Sequence, residues 1–231
     1  MSPVTAPVPP PSYDHESLVE RYAHMAHSFE RRPVDRALRA FDVLIAGTTL
    51  LVLSPLIALV TLAVASTGRP ILYRGRRVGR AGQVFTMYKF RTLKADAEAR
   101  IGAYYGAELT ALTTQEQTWV GRVIRALHFD ELPQLWNVLR GDMSLVGPRP
   151  IRETFFESLV VEIPAYWQRL VVRPGVTGFA QLRLSREMTW AEKLAHDFEY
   201  VADRSVHLYL HVLSATARTV IVRLFTGRPQ A

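Results

Sequence analysis

Residues 43–65, VLIAGTTLLVLSPLIALVTLAVA, carry no charged side chain. A run of this length can cross a bilayer, and it is too long and too apolar for an ordinary soluble helix. A secretory signal core is one reading, because Ala63-Val64-Ala65 resembles a small-residue cleavage site. A long polar stretch precedes the run, however, and the run exceeds a usual signal core. A straight spanning helix is a second reading. Against it, Pro55 sits mid-run, where it removes a backbone donor and clashes with the carbonyl four residues back. Ser54 is placed to cap the freed group. Arginines also flank both ends, Arg36 and Arg39 before and Arg69, Arg74, Arg76 and Arg77 after, so the positive-inside rule draws both ends to the cytoplasm. A re-entrant helix broken at Ser54-Pro55 fits both observations; on the residues alone it and the spanning helix both stay open.

The basic flanks belong to a basic chain. Among 231 residues, 28 Lys+Arg stand against 21 Asp+Glu, a net charge of +7, which calls for an anionic partner: nucleic acid, lipid headgroups or a phosphorylated substrate. There is no cysteine, which excludes thiol catalysis, disulfide frameworks and cysteine-based zinc sites. Residues 1–16 are proline-rich and predict an extended tail, and residues 17–32 a polar helix ending before Pro33. Beyond the apolar run, 71–73 and 83–88 read as short strands around a turn-rich RRVGRAGQ. Residues 93–128 read mostly as helix, interrupted near Thr113-Thr114. Asp130–Leu139 reads as one compact helix with an acidic start and Gly141 placed to end it, and 190–224 as one or two amphipathic helices.

The densest chemistry lies between Arg122 and Pro150. Asp130 and Glu131 are neighbours, so on a helix their side chains diverge by about 100° and do not form a facing dyad. A nucleophile beside a cation-holding carboxylate is the functional reading, and a helix cap with a first-turn acid is the plain one. Lys89 and Arg91 in YKFRT, Arg125, Arg149 within Gly147-Pro148-Arg149-Pro150, and Arg173 opening RPGVTG place cations in stiff, glycine- and proline-bounded segments. Each alone suits a solvated surface, whereas together they have the makings of a diphosphate site. Their interspersion with prolines and glycines, instead of along one helix face, argues against nucleic acid. No Walker or dinucleotide glycine spacing is present, and His207 and His211, one helical turn apart, lack a third ligand.

The ordered series YKFRTL, DELPQLWNVLRGDMSLVGPRP and RPGVTGFAQ closely resembles the bacterial sugar transferases known as monotopic phosphoglycosyl transferases, over about residues 32–213. The resemblance implies an α+β, mostly helical fold. A proline-rich tail and polar helix (1–32) would precede a re-entrant membrane segment (33–68) and an interfacial catalytic domain with short strands (69–231). It implies location at the cytoplasmic face of a bacterial plasma membrane, in a minimal catalytic form with an added tail. It also implies transfer of a sugar 1-phosphate from a UDP-sugar to undecaprenyl phosphate with release of UMP, the first membrane step of exopolysaccharide or glycoconjugate synthesis. Asp130 would be the nucleophile and Glu131 its Mg²⁺-associated partner, the two together forming the metal site. Lys89, Arg91, Arg125, the 147–150 loop and Arg173 would hold phosphates, and Asp197 and Tyr200 match a downstream acid and tyrosine. Leu93, His128 and the LRLSRE segment at 182–187 depart from the family pattern. The sugar, the final polysaccharide and the oligomeric state, a homodimer included, stay open.

Overall fold

A computed structural model of the chain describes residues 32–95, 97, 112–183 and 188–226. The expected tail and polar helix, save Arg32, lie outside these residues, as do 98–111 and 184–187.

Helix α1 (Val34–Val52) and helix α2 (Ser54–Ala65) meet at a 65° bend across Leu53. The cause is local. Pro55 has no N–H to give to the Leu51 carbonyl, and Ser54 Oγ donates to that carbonyl instead, at 2.8 Å. No single helix among the described residues is long and apolar enough to cross a membrane, but the bent pair passes the test of length and composition together. The two ends of α1 differ in environment. Leu38, Asp42 and Ala46 are buried, whereas Leu44, Leu51 and Val52 are exposed, as are Leu59 and Leu62 on α2.

A hairpin follows, β1 (Leu72–Val78) antiparallel to β2 (Val84–Phe90), in register from Leu72↔Phe90 to Val78↔Val84. The strands are longer than the sequence pattern indicated and take in the arginine-rich RGRRV. A short β4 (Ile151–Arg152) adds to the free edge of β1, giving the order β2-β1-β4. Helix α3 (Trp119–Ala126) starts at Thr118, whose side chain accepts the Gly121 N–H. A Cβ on Gly121 would come within 2.0 Å of the Thr92 carbonyl, so only glycine lets α3 lie on that backbone. Of the helix expected over 93–128, the described part differs. Leu93 forms a β-bridge with Gln117, and the break falls at 116–118 instead of at Thr113-Thr114.

The expected single helix from Asp130 to Leu139 is two elements: a 3₁₀ turn (Phe129–Glu131), then α4 (Gln134–Arg140) closed by Gly141 at φ 90°. His128 enters the turn in a left-handed conformation, φ 58°, and this reversal separates the carboxylates from α3, which ends at Ala126. Strand β3 (Ser144–Val146) pairs in parallel with β5 (Gly175–Thr177). Between them lie α5 (Glu153–Glu162) and a 3₁₀ segment, Pro164–Val171. Helices α6 (Phe179–Arg183), α7 (Trp190–Asp203) and α8 (Val206–Thr226) complete the chain.

The largest apolar cluster joins Leu38 and Ala46 of α1 to Met87, Leu135, Val138, Leu145, Tyr200 and Tyr209. The same helix therefore carries the first part of the apolar run and packs against β2, α4 and α8. Polar ties fix its depth. Asp42, 2% exposed, accepts from Ser144 Oγ (2.9 Å), the Leu145 N–H (2.8 Å) and Tyr209 Oη (2.8 Å). Arg39 donates to the Val138 and Leu139 carbonyls at the C-terminus of α4, where a cation is favoured by the helix dipole.

Candidate active site

Strand β2 presents Lys89 and the 3₁₀ turn presents Asp130 and Glu131, and Asn137 of α4 sets their register. Fully buried, Asn137 accepts the Tyr88 N–H (3.0 Å) and donates to the Thr86 carbonyl (2.7 Å) and Asp142 (3.1 Å). These bonds lock α4 against the strand residues flanking Lys89. Lys89 Nζ then reaches Glu131 Oε1 at 2.7 Å. Asp130, 7% exposed, lies in the same turn.

The two carboxyls are electrostatically unlike. Burial, reinforced by the charge of Glu131, pushes Asp130 up to about 6, against the opposing pull of Lys89 and Arg125. Burial would raise Glu131 as well, but Lys89 and then Arg149 outweigh it and hold Glu131 below the usual carboxylate range. Environments that separate the pKa values of paired acids mark a division of roles. At neutral pH Asp130 is still mostly ionised, and it is more basic and more nucleophilic than a solvated carboxylate. Arg125 and Arg149 are both exposed, and neither guanidinium has a hydrogen-bonding or ion-pair partner among the described residues. Two exposed arginines therefore act on the carboxyl pair, Arg125 on Asp130 and Arg149 on Glu131.

The loop carrying Gly147, Pro148, Arg149 and Pro150 is held backbone to backbone against 173–178. Gly147 N–H donates to the Thr177 carbonyl (2.9 Å), Gly175 N–H to Pro148 (2.9 Å) and Ser144 N–H to Pro174 (2.9 Å). A Cβ at Gly147 would sit 2.4 Å from the Arg173 carbonyl, so no other residue fits. A buried arginine braces the loop from below. Arg169 pairs with Asp197 at 2.7 Å, contacts Tyr166 Oη at 3.2 Å, and donates to the carbonyl of Arg149 itself at 2.9 Å.

The family model described as "Bacterial sugar transferase" matches residues 34–223. The chain belongs to the bacterial sugar transferase family. This transferase is 37% identical over 187 residues to the UDP-N-acetylgalactosamine-undecaprenyl-phosphate N-acetylgalactosaminephosphotransferase of Aeromonas hydrophila, covering 79% of this chain and 43% of that one. It is 38% identical over 190 residues to the uncharacterized sugar transferase EpsL of Bacillus subtilis, covering 80% and 87%. With the UDP-glucose:undecaprenyl-phosphate glucose-1-phosphate transferase of Caulobacter vibrioides it shares 36% identity over 199 residues, covering 83% and 72%. The chain thus spans less than half of the first relative and most of the other two.

Of the residues singled out in the sequence of this transferase, the structure brings together Lys89, Arg125, Asp130, Glu131 and Arg149. Four others serve the scaffold around them. Arg91 donates to the carbonyls of Pro70 (2.6 Å), Gly68 (2.7 Å) and Leu93 (2.8 Å) and to Thr67 Oγ1 (2.9 Å), which clamps the end of α2 to β2. Asp197 is the buried partner of Arg169, and Tyr200 donates to the Val146 carbonyl at 3.1 Å, one residue before Gly147. Arg173 Nε donates to the Gly141 carbonyl. Arg173 and Tyr200 line a small open cleft with Arg39, Arg80 and Arg204, which none of the five clustered residues lines. Sequence reading missed Asn137, Arg169, Asp42 and Arg39. The available signal was a polar residue among apolar neighbours: Asn137 sits between Leu135 and Val138, and Arg169 beside Leu170, all of them buried.

Proposed function

We propose that this transferase moves a sugar 1-phosphate from a UDP-sugar to undecaprenyl phosphate, releasing UMP, through a covalent aspartyl intermediate on Asp130. The observation that carries the reading is a buried carboxylate raised to about 6, next to the Lys89–Glu131 pair, with Arg125 acting on Asp130 and Arg149 on Glu131. The names of the Aeromonas and Caulobacter relatives agree in the acceptor and in the transfer of a phosphate-bearing sugar.

In the first half-reaction an Asp130 oxygen attacks the phosphorus that bears the sugar. The bond from that phosphorus to the bridging oxygen breaks, and its electron pair leaves on UMP. A phosphate oxygen of undecaprenyl phosphate then attacks the same phosphorus and frees the Asp130 carboxylate. Arg125 and Arg149 offset charge on the phosphoryl oxygens, and Lys89 keeps Glu131 ionised and in place. The family resemblance also implies Mg²⁺. The available donors are hard carboxylate oxygens on Asp130 and Glu131, and among the described residues no three of His, Cys, Asp or Glu converge. Such a partial set suits Mg²⁺, whose remaining positions are ordinarily filled by water and substrate phosphate. Bound by these two residues, Mg²⁺ would neutralise diphosphate charge.

The enzyme must bring a soluble nucleotide together with a lipid. We place the α1–α2 pair as a re-entrant hairpin entering from the cytoplasmic face of the plasma membrane, its exposed Leu44, Leu51, Val52, Leu59 and Leu62 in lipid. Trp119 and Val123, exposed on α3 beside α2, extend the same apolar face to the membrane interface. The test is nucleotide release from nanodisc-held protein given Mg²⁺, undecaprenyl phosphate and a panel of UDP-sugars, wild type against Asp130→Asn. UMP from wild type and none from the variant is expected. Release of UDP would mean that the sugar moves without its phosphate and would end the proposal.

A further inference from the structure

A cation that no motif marks stands beside Arg149. Lys193 lies on α7 one helical turn before Asp197, so the two side chains share a face about 5–6 Å apart at Cβ. Asp197 is bound to Arg169, and Arg169 is bound to the carbonyl of Arg149, at 2.7 and 2.9 Å. This buried chain of contacts fixes the Lys193 face of α7 against the 147–150 loop. Above it, the Lys193 ammonium sits 4.4 Å from the centre of the Trp190 ring, and that ring packs edge-on against Phe155 at 4.8 Å. The stem of Lys193 is thereby steadied. Its nearest carboxylate in sequence, Glu192, is taken up in the capping box with Thr189.

The charges are linked through Arg149. Arg149 acts electrostatically on both Glu131 and Lys193, and the Lys193 pKa is lowered by burial and then by Arg149, against the opposing pull of Glu192. Lys193 is not among the main charges acting on either catalytic carboxyl; those are Lys89, Arg125, Arg149 and His128. Arg149 is therefore the charge that the catalytic pair and Lys193 share. Two cations held side by side repel each other unless an anion lies between them. A substrate diphosphate has two phosphates in a row, and the one nearer Asp130 is the one attacked.

We infer that Lys193 is a further substrate-binding residue, which together with Arg149 grips the phosphate that departs with the nucleotide. This rests on the phosphosugar-transfer reading above. When the bridging bond breaks, the departing phosphate gains a full negative charge, and a cation beside it favours that step. The second half-reaction begins after the nucleotide has left and makes no use of Lys193.

In a ping-pong enzyme, kcat/KM for each substrate reports its own half-reaction, and this separates a binding role from a structural one. The experiment compares wild type, Lys193→Met and Lys193→Arg in nanodiscs, varying the UDP-sugar and undecaprenyl phosphate in turn and measuring inhibition by UMP and by uridine. Lys193→Met should lower kcat/KM for the UDP-sugar about 10- to 100-fold, the range for a hydrogen bond to a charged group. It should weaken UMP inhibition by a similar factor, leave uridine inhibition and kcat/KM for undecaprenyl phosphate within about twofold, and be largely rescued by Lys193→Arg. Equal losses for both substrates, or UMP inhibition unchanged in Lys193→Met, would overturn the inference. Wild-type protein that releases no UMP from any donor defeats the underlying reading instead, so the two failures are distinct.

Discussion

Asp130 should be a residue whose ionisation weakens the fold it serves. Its pKa in the folded protein is about 6 against 3.8 for the free side chain. Ionising it within the fold therefore costs about 2 pKa units at 1.36 kcal/mol each, or about 3 kcal/mol at neutral pH. The pKa is raised, so the folded state is favoured by protonation. That stability is fully present below about pH 4 and is lost as the pH rises through about 6. Asp130→Asn is close to isosteric and cannot ionise, so it escapes the penalty. In nanodiscs with EDTA, the variant should melt roughly 6–12 °C above wild type at pH 8, from 2–4 °C per kcal/mol for a chain of this size. The gap should shrink to about 1 kcal/mol or less by pH 4.5. The assay is differential scanning fluorimetry of both proteins across pH 4.5–8. A melting difference independent of pH, or a variant less stable than wild type at pH 8, would refute the claim that Asp130 is a buried, strained charge.

Other outcomes follow from the same structure. The first half-reaction requires the Asp130 carboxylate, so kcat/KM for the UDP-sugar should fall about tenfold per pH unit below about pH 6; a flat profile down to pH 5 would contradict the assignment. Arg169→Met strands a buried carboxylate, since Arg169 and Asp197 have only 4% and 6% of their side chains exposed, and should destabilise by about 3–5 kcal/mol. The double variant Arg169→Met/Asp197→Leu should recover much of that stability but not the activity, because the Arg149 carbonyl loses its donor; denaturation midpoints and UMP release check the two halves. Pro55→Leu restores a donor at the bend and should shift the α1–α2 pair toward a straight span with loss of activity. The cysteine-free chain allows single cysteines at Ala40 and Thr67 to be labelled cleanly from either side. Labelling of these two sites from opposite faces in the Pro55 protein would sink the hairpin.

Much of this protein is legible residue by residue because the signals are local. An uncharged run interrupted by Pro55 announces a broken apolar helix, since a missing N–H acts on the carbonyl four residues back and nowhere else. Alternation marks the two strands of the hairpin, Gly141 the end of a helix, and the ordered motifs the family and the acidic pair at its centre. The roles of the cations were not legible in this way. Lys89, Arg91, Arg149 and Arg173 look alike in sequence, each beside a proline, a glycine or an aromatic residue. Only the tertiary structure sends Arg91 to the carbonyls at the end of α2 and Arg173 to Gly141, while it leaves Arg149 exposed beside Glu131. The same holds for the carboxylates. Burial raises both Asp130 and Asp197, yet one lies near the exposed Arg125 and the other is bound to Arg169 beneath the loop. Local geometry depends on neighbours in the chain, so sequence carries it. The charge state of a buried group depends on how much water and which counter-charges remain around it, and those are set by elements more than forty residues apart in the chain, as with Lys89 and Glu131.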